Sequence, residues 1–138
     1  MKLKNFFKNL NKDFNNKSFN GFEFNSKKIK KNYIFFALKG SKFNGNHFIN
    51  EAIIKGATII VSNKFKTGID KGIYYIKVDD PALALSNLAN KYYNKKPNNI
   101  IAVTGTNGKS SIVNFYYQIL KLNKKKVASI GTLGVKSN

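Results

Sequence analysis

The 138-residue sequence contains no cysteine, no tryptophan and no arginine, and only two prolines and six acidic residues. Without cysteine the chain can form no disulfide and offers no thiolate to a metal, which fits a reducing compartment. It also has no apolar run near the roughly 20 residues that a membrane-spanning helix needs. Its lysine-rich N-terminus lacks the apolar segment of a signal peptide. We therefore predict a cytoplasmic protein with no membrane partner.

The positive charge is carried entirely by lysine. All 25 cationic residues are lysines, and the formal net charge is +19. A basic surface can bind nucleic acid by releasing counterions from the phosphate backbone. Arginine, however, is the side chain that contacts phosphate and guanine with two parallel hydrogen bonds, and it is absent. We therefore interpret the lysines as a solvated surface and do not predict nucleic acid as a partner.

The pattern of apolar residues predicts strands that alternate with helices, as in an α/β fold. Strands are predicted around residues 22–24 and over 33–38, 57–62, 73–78 and 100–104. Helices are predicted over 2–10, from Asn44 or Asn46 to Gly56, and from a cap at Asp79 or Asp80 through Pro81 to about Tyr93. The sequence KKPNN interrupts the last of these helices, so we predict two domains, 1–97 and 98–138.

The segment IIAVTGTNGKSS predicts a strand, a glycine turn and a helix. Gly105 and Gly108 allow backbone angles at which successive N–H groups point at one anion. The N-terminus of the following helix favours negative charge. Lys109 can reach the β- and γ-phosphates, and the Ser110 hydroxyl can bind Mg²⁺. Val103 stands where the full G-x-x-x-x-G-K-[ST] pattern has its first glycine, but the strand and helix around the loop favour phosphate binding over a structural turn.

At TGTNGKSS the sequence resembles the Mur ligases, the ATP-dependent amide-forming enzymes of peptidoglycan synthesis. Their phosphate loop is of the GTNGKTT type and also lacks the early glycine; Ser110 and Ser111 here replace two threonines and keep both hydroxyls. Residues 25–49, NSKKIKKNYIFFALKGSKFNGNHFI, are similar to the N-terminal pattern of the MurE and MurF types. The segment ASIGTLG, residues 128–134, resembles the MurE type, which adds the third residue of the peptide.

The resemblance implies a fold, cofactors and site residues. Domain 1–97 would be the small substrate domain that binds UDP-MurNAc, and 98–138 the first strand, phosphate loop, helix and strand of a parallel-sheet ATP-binding domain. The implied cofactors are ATP and Mg²⁺, with Lys109 catalytic and Ser110 the metal ligand. The implied ATP contacts are Gly105, Thr106, Asn107, Gly108, Lys109, Ser110 and Ser111. The implied contacts to UDP-MurNAc are Phe24, Ser26, Ser41, Lys42 and Phe43.

Some positions depart from the family pattern. Asn25 and Lys27 replace an aspartate and an arginine, so a bidentate contact is lost although a cation remains. Asn46 stands where the family has histidine, and His47, which follows it, is interpreted as a half-exposed residue at a helix start. Asp79 and Asp80 could suggest a metal pair, but helix capping before Pro81 explains them better.

The implied activity belongs to a longer enzyme. ATP would phosphorylate the terminal carboxylate of UDP-MurNAc-L-Ala-D-Glu, and an amine would then displace phosphate from the acyl phosphate. The family's other Mg²⁺ ligands and its amino-acid-binding domain lie downstream of these motifs, so we interpret the chain as an N-terminal fragment that is inactive alone. Two alternatives stay open: a fragment of the MurF type, which adds D-Ala-D-Ala, and a non-enzymatic module that binds nucleotide or nucleic acid. The added amino acid, diaminopimelate or lysine, and the oligomeric state are not determined by these residues.

Overall fold

A computed structural model describes residues 1–7, 10–41 and 43–138. The chain divides into two compact units, Met1–Lys95 and Lys96–Asn138. This division lies close to the one predicted after residue 97, at the polar segment that follows the third helix.

In its described residues, the first unit contains a five-stranded sheet and three α-helices. Its strands are β1 (Gly21–Glu23), β2 (Tyr33–Phe36), β3 (Ala57–Ser62), β4 (Gly68–Asp70) and β5 (Ile73–Lys77), and its α-helices are α1 (Lys12–Asn15), α2 (Ile49–Ile54) and α3 (Pro81–Tyr92). Short 3-10 helices span Leu3–Asn5, Ser26–Lys28 and Gly45–Phe48. The helix predicted over 2–10 is wrong in extent, because only Leu3–Asn5 is helical within 1–7; Lys8 and Asn9 lie outside the described residues.

The sheet is mostly parallel and runs in the order β1-β2-β3-β5-β4. β1, β2, β3 and β5 pair in parallel, and β4 pairs with β5 in the antiparallel sense. Parallel neighbours need a crossover connection, which α2 supplies between β2 and β3. The predicted α/β class is confirmed by this arrangement.

Both faces of the sheet are buried, which explains the continuous apolar runs of its central strands. Successive strand residues point to opposite faces, so Ile34 and Phe36 belong to one apolar cluster and Phe35 to the other. The first cluster includes Leu88 of α3, and the second includes Ala52 of α2. All five of these side chains are at most 1% exposed.

The second unit contains one long helix and a hairpin. The helix α4 spans Lys109–Leu122, and the strands β6 (Ala128–Gly131) and β7 (Gly134–Ser137) form an antiparallel pair. The strand predicted over 100–104 is not formed, and Ile100 and Ile101 are 82% and 61% exposed. An extended segment becomes a strand only when its backbone groups pair with a neighbour, and β6 pairs with β7 instead. The prediction of a parallel pair in this part of the chain is therefore wrong.

A membrane-crossing helix would have to be longer and more apolar than any helix found in the ranges 1–7, 10–41 and 43–138.

Candidate functional site

The glycine-rich loop of the second unit reaches α4 through backbone angles that favour glycine. Gly105 has a φ of 147° and Gly108 a φ of 75°. Gly108 is the residue that precedes the first turn of α4, and a Cβ built on it would meet no heavy atom within 4 Å. The demand for glycine at this position is therefore conformational and not a matter of space.

The N-terminus of α3 is capped by a side chain that accepts hydrogen bonds from its first backbone N–H groups, whereas the N-terminus of α4 has no such cap. At α3 the Asp80 carboxylate accepts hydrogen bonds from the N–H groups of Ala82 (2.8 Å) and Leu83 (3.1 Å). At α4 the corresponding position is Gly108, which has no side chain. The first N–H groups of any helix have no partner inside it, and residues 104–111 are exposed. This helix start is therefore accessible to an external anion.

Lys109 folds back over its own loop. Its Nζ donates hydrogen bonds to the carbonyl oxygens of Gly105 and, at 3.1 Å, Thr106. The ammonium group therefore lies beside the loop backbone, where it adds positive charge to the start of α4.

The hydroxyl of Ser110 has a partner that the sequence did not predict. Ser110 Oγ lies 2.9 Å from Oγ1 of Thr132, in the turn between β6 and β7. Asn114, one helical turn further along α4, accepts a hydrogen bond of 3.2 Å from Nζ of Lys136 on β7. Thr132 belongs to the GTLG segment, whose resemblance to the MurE type predicts no role for it in the site.

In the first unit, the predicted substrate contacts differ in accessibility. Phe24 is 58% exposed, whereas Ser26 is only 6% exposed. Ser26 Oγ donates a hydrogen bond of 2.8 Å to Oε2 of Glu51 on α2. Together with the neighbouring Lys55 ammonium, 3.3 Å from the other carboxylate oxygen, this hydrogen bond lowers the pKa of Glu51. Ser26 therefore holds the 26–28 turn against α2, while Phe24 is available to a ligand.

The segment between β2 and α2 contains the other three predicted contacts. Ser41 is exposed, Phe43 is 71% exposed, and Lys42 lies outside the described residues. The N–H of Gly40 donates a hydrogen bond of 2.8 Å to the carbonyl of Phe43, which closes the loop.

The base of this loop requires glycine at position 45. A Cβ at Gly45 would lie 2.6 Å from the backbone nitrogen of Leu38, and the N–H of Gly45 donates a hydrogen bond of 2.7 Å to the Leu38 carbonyl. Beside it, Asn44 Oδ1 accepts from the Asn46 N–H at 3.0 Å. His47 is exposed in the 3-10 helix that precedes α2, near the predicted helix start. The loop thus has a fixed base beneath exposed residues.

The acidic and histidine side chains of the described residues are of the kinds that ligate metal ions in proteins. Within residues 1–7, 10–41 and 43–138, no group of three or more metal-binding side chains comes together. Asp80 caps α3, as predicted for one of the two aspartates. At the glycine-rich loop, the hydroxyl of Ser110 is an oxygen donor of the kind that suits Mg²⁺ when the other ligands are phosphate oxygens and water.

A mostly parallel sheet in the first unit, and a glycine-rich loop at an uncapped helix start in the second, define the chain as an α/β protein. The chain belongs to the Mur ligase family, because the sequence model described as "Mur ligase family, catalytic domain" matches residues 18–93. The matched residues lie in the first unit.

Relatives and solved structures agree with this assignment. The UDP-N-acetylmuramoyl-L-alanyl-D-glutamate--2,6-diaminopimelate ligase of Rickettsia prowazekii is 48% identical over 128 residues, which are 92% of this chain and 26% of that protein. A solved structure of a ligase with the same name has a TM-score of 0.72 at 24% identity, over 99% of this chain and 28% of that one, and shows the fold. The MurF ligase of Thermotoga maritima in complex with ADP has a TM-score of 0.60 at 30% identity, over 76% and 24%.

The 48% identity to a curated relative of the diaminopimelate-adding type favours the MurE type over the MurF type, as the GTLG segment predicted. The chain spans about a quarter of the length of the curated relatives it matches.

Proposed function

We propose that this chain supplies the nucleotide loop and the UDP-sugar domain of a ligase that joins 2,6-diaminopimelate to UDP-N-acetylmuramoyl-L-alanyl-D-glutamate. The observation that carries the proposal is the uncapped start of α4, with its glycine-rich loop, in a chain 48% identical to a ligase of that name. The cofactors are ATP and Mg²⁺. A cytoplasmic location remains a prediction.

At the nucleotide loop, the chain contributes backbone N–H groups, one cation and one hydroxyl. The N–H groups of residues 105–111 bind the phosphates of ATP, because they belong to the loop and the first turn at the start of α4, where the helix dipole favours negative charge. Lys109 exchanges its contacts with the Gly105 and Thr106 carbonyls for phosphate oxygens, and offsets negative charge as the γ-phosphoryl group is transferred. Ser110 Oγ provides one ligand of the Mg²⁺ that accompanies the nucleotide.

In the first unit, the exposed aromatic rings of Phe24 and Phe43 offer flat apolar surfaces to the uridine nucleotide. Stacking of a base on an aromatic side chain contributes about 1–3 kcal/mol. We assign Ser26 a supporting part, because its hydroxyl is engaged by Glu51. Ser41 and Lys42 complete the proposed contacts.

The second unit exposes apolar side chains that further protein would have to cover. This supports the proposal that the activity requires more protein than these 138 residues. Large apolar side chains on α4 and on the hairpin are more than half exposed; they include Ile112, Phe115, Ile119, Leu122, Ile130 and Val135. Patches of this kind mark surfaces that another part of a protein covers. We therefore expect the complete active site only in a protein of the relatives' length.

A chimera tests the proposed function. The 138-residue chain replaces the segment that it matches in the Rickettsia prowazekii relative, and phosphate release is measured with ATP, UDP-N-acetylmuramoyl-L-alanyl-D-glutamate and 2,6-diaminopimelate. We expect turnover that requires all three substrates, a loss of at least about 100-fold in the Lys109→Ala chimera, and no steady turnover by the 138-residue chain alone.

The same assay distinguishes the MurF alternative. A chimera that is folded and inactive with the dipeptide substrate would contradict the proposal. Turnover with a UDP-N-acetylmuramoyl tripeptide and D-alanyl-D-alanine, in place of the dipeptide and diaminopimelate, would favour the MurF type instead.

A further inference from the structure

The tip of the β6–β7 hairpin lies against the first turn of α4. Gly131 and Gly134 are paired across the hairpin, so the turn consists of Thr132 and Leu133. Gly134 has a φ of 83°, in the left-handed region that glycine favours. This turn places Oγ1 of Thr132 at 2.9 Å from Oγ of Ser110.

A second contact fixes the hairpin on the same face of α4. Lys136 Nζ donates to Asn114 Oδ1 at 3.2 Å, and residues 110 and 114 of a helix lie one above the other. The hairpin is therefore held at two points one turn apart, and the position of Thr132 relative to Ser110 does not depend on a single hydrogen bond.

We propose that Thr132 is a positioning residue that directs the lone pairs of the Ser110 hydroxyl toward a magnesium-bound nucleotide. This inference rests on the proposed nucleotide site. A hydroxyl has one proton and two lone pairs, so a serine that gives a lone pair to Mg²⁺ must turn its proton away from the metal. Thr132 Oγ1 accepts that proton and fixes the rotation of the Ser110 hydroxyl.

The expected loss of Mg²⁺ affinity can be estimated from residues that hydrogen-bond to metal ligands in other proteins. Loss of such a partner lowers metal affinity by about 10–100-fold. Ser110 and Thr132 are both exposed, so water can replace part of the contact and we expect a loss of about 10-fold.

The test compares ADP affinity of the 138-residue chain in excess MgCl2 and in EDTA, by isothermal titration calorimetry. We call the increase in ADP affinity that Mg²⁺ causes the Mg²⁺ gain. Thr132→Val should reduce this gain by about 10-fold, while its ADP affinity in EDTA should equal that of the unaltered chain. Thr132→Ser restores the hydroxyl and should keep the gain. Thr67→Val is the matched control, because Thr67 Oγ1 accepts a hydrogen bond from the Lys77 N–H in the first unit; it should change neither affinity.

A variant of the second contact separates hydroxyl orientation from docking of the hairpin. Lys136→Met removes the contact to Asn114 and should keep the Mg²⁺ gain. The inference is overturned if Thr132→Val keeps the Mg²⁺ gain, or if it lowers ADP affinity by the same factor with and without Mg²⁺. It is also overturned if Lys136→Met reduces the Mg²⁺ gain as much as Thr132→Val does. If the unaltered chain binds ADP neither in excess MgCl2 nor in EDTA, the proposed nucleotide site is overturned, and this inference with it.

Discussion

For some single residues, the role that the family resemblance implies differs from the contacts that the side chain makes in the structure. Ser26 was predicted from the resemblance as a substrate contact, but its hydroxyl is directed at Glu51 and its side chain is buried. Asn25, which replaces an aspartate of the family, still caps the following turn, because its Oδ1 accepts from the Lys27 N–H at 3.0 Å. The partner of Ser26 lies on an element that is distant in the sequence, so the sequence could not predict it. The partner of Asn25 follows from the geometry of a local turn, which the sequence can predict.

The Ser26–Glu51 contact makes a prediction for pH dependence. The Ser26 hydrogen bond, with Lys55, lowers the pKa of Glu51 below 4.5 in the folded chain. The folded state therefore binds this proton less readily than the unfolded state. The stability that Glu51 contributes is present above pH 4.5 and is lost as the pH falls through the lowered pKa.

Carboxyl NMR titration of Glu51 measures this effect. Ser26→Ala should raise the pKa of Glu51 toward its ordinary value. Ser62→Ala removes the hydroxyl of another buried serine, whose Oγ accepts from Lys64 N–H, and should leave the pKa of Glu51 unchanged. An unchanged pKa in Ser26→Ala would refute the assigned cause.

Gly108 makes a second prediction at this scale. Because its φ of 75° is unfavourable for a residue with a Cβ, Gly108→Ala should destabilise α4 by about 1–2 kcal/mol. Gly131→Ala is the control, because Gly131 has no positive φ and a Cβ there meets nothing within 4 Å. Amide hydrogen exchange along α4 gives the free energy of opening; equal effects of the two substitutions would contradict the conformational explanation.

At the scale of elements, the sequence predicts best where apolar pattern and packing agree. β3 was predicted over its full length, Ala57–Ser62, because every residue from Ile59 to Ser62 is buried and the run is continuous. β4 was missed because it has three residues and no buried one. The strand over 100–104 was predicted from its apolar run, but strand formation also needs a pairing partner, which periodicity does not reveal.

Asp80 provides a test of an element boundary. The two hydrogen bonds that its carboxylate accepts at the start of α3 should make Asp80→Ala destabilising by about 1 kcal/mol. Asp79→Ala, at the exposed residue before it, should change the free energy of unfolding by less than about 0.5 kcal/mol. Urea unfolding followed by circular dichroism measures both, and a larger loss in Asp79→Ala would reverse the assignment of the cap.

At the scale of the whole molecule, the two units differ in how completely they bury apolar residues. The first unit encloses its sheet on both faces, whereas the second leaves large apolar side chains of α4 exposed. The segment KKPNN predicted a boundary after residue 97, close to the division between the two units, and the order of strands and helices predicted the fold class. The pairing of β6 with β7 and the place of Thr132 were not evident, because both depend on contacts between segments that share no local pattern.

A matched pair of isoleucines tests where the stability of the first unit lies. Ile60 of β3 is 0% exposed in the cluster that includes Ala52 of α2, and Ile54 is 85% exposed. Ile60→Ala should cost about 2–5 kcal/mol because it leaves a cavity, and Ile54→Ala less than about 0.5 kcal/mol. Urea unfolding of the two variants is the measurement; a similar cost at both positions would be inconsistent with the described core.

We propose one arrangement for this chain: the nucleotide loop of a Mur ligase at residues 104–111 and a uridine-nucleotide site in the first unit. Amide NMR spectra recorded during separate titrations with magnesium ADP and with UDP test it most directly. We predict that ADP saturably shifts the amide signals of residues 105–111, that Lys109→Met abolishes these shifts, and that UDP instead shifts signals near Phe24 and in the loop that contains Phe43. Absence of ADP-dependent shifts in 105–111, or identical shifts in Lys109→Met, would contradict the account.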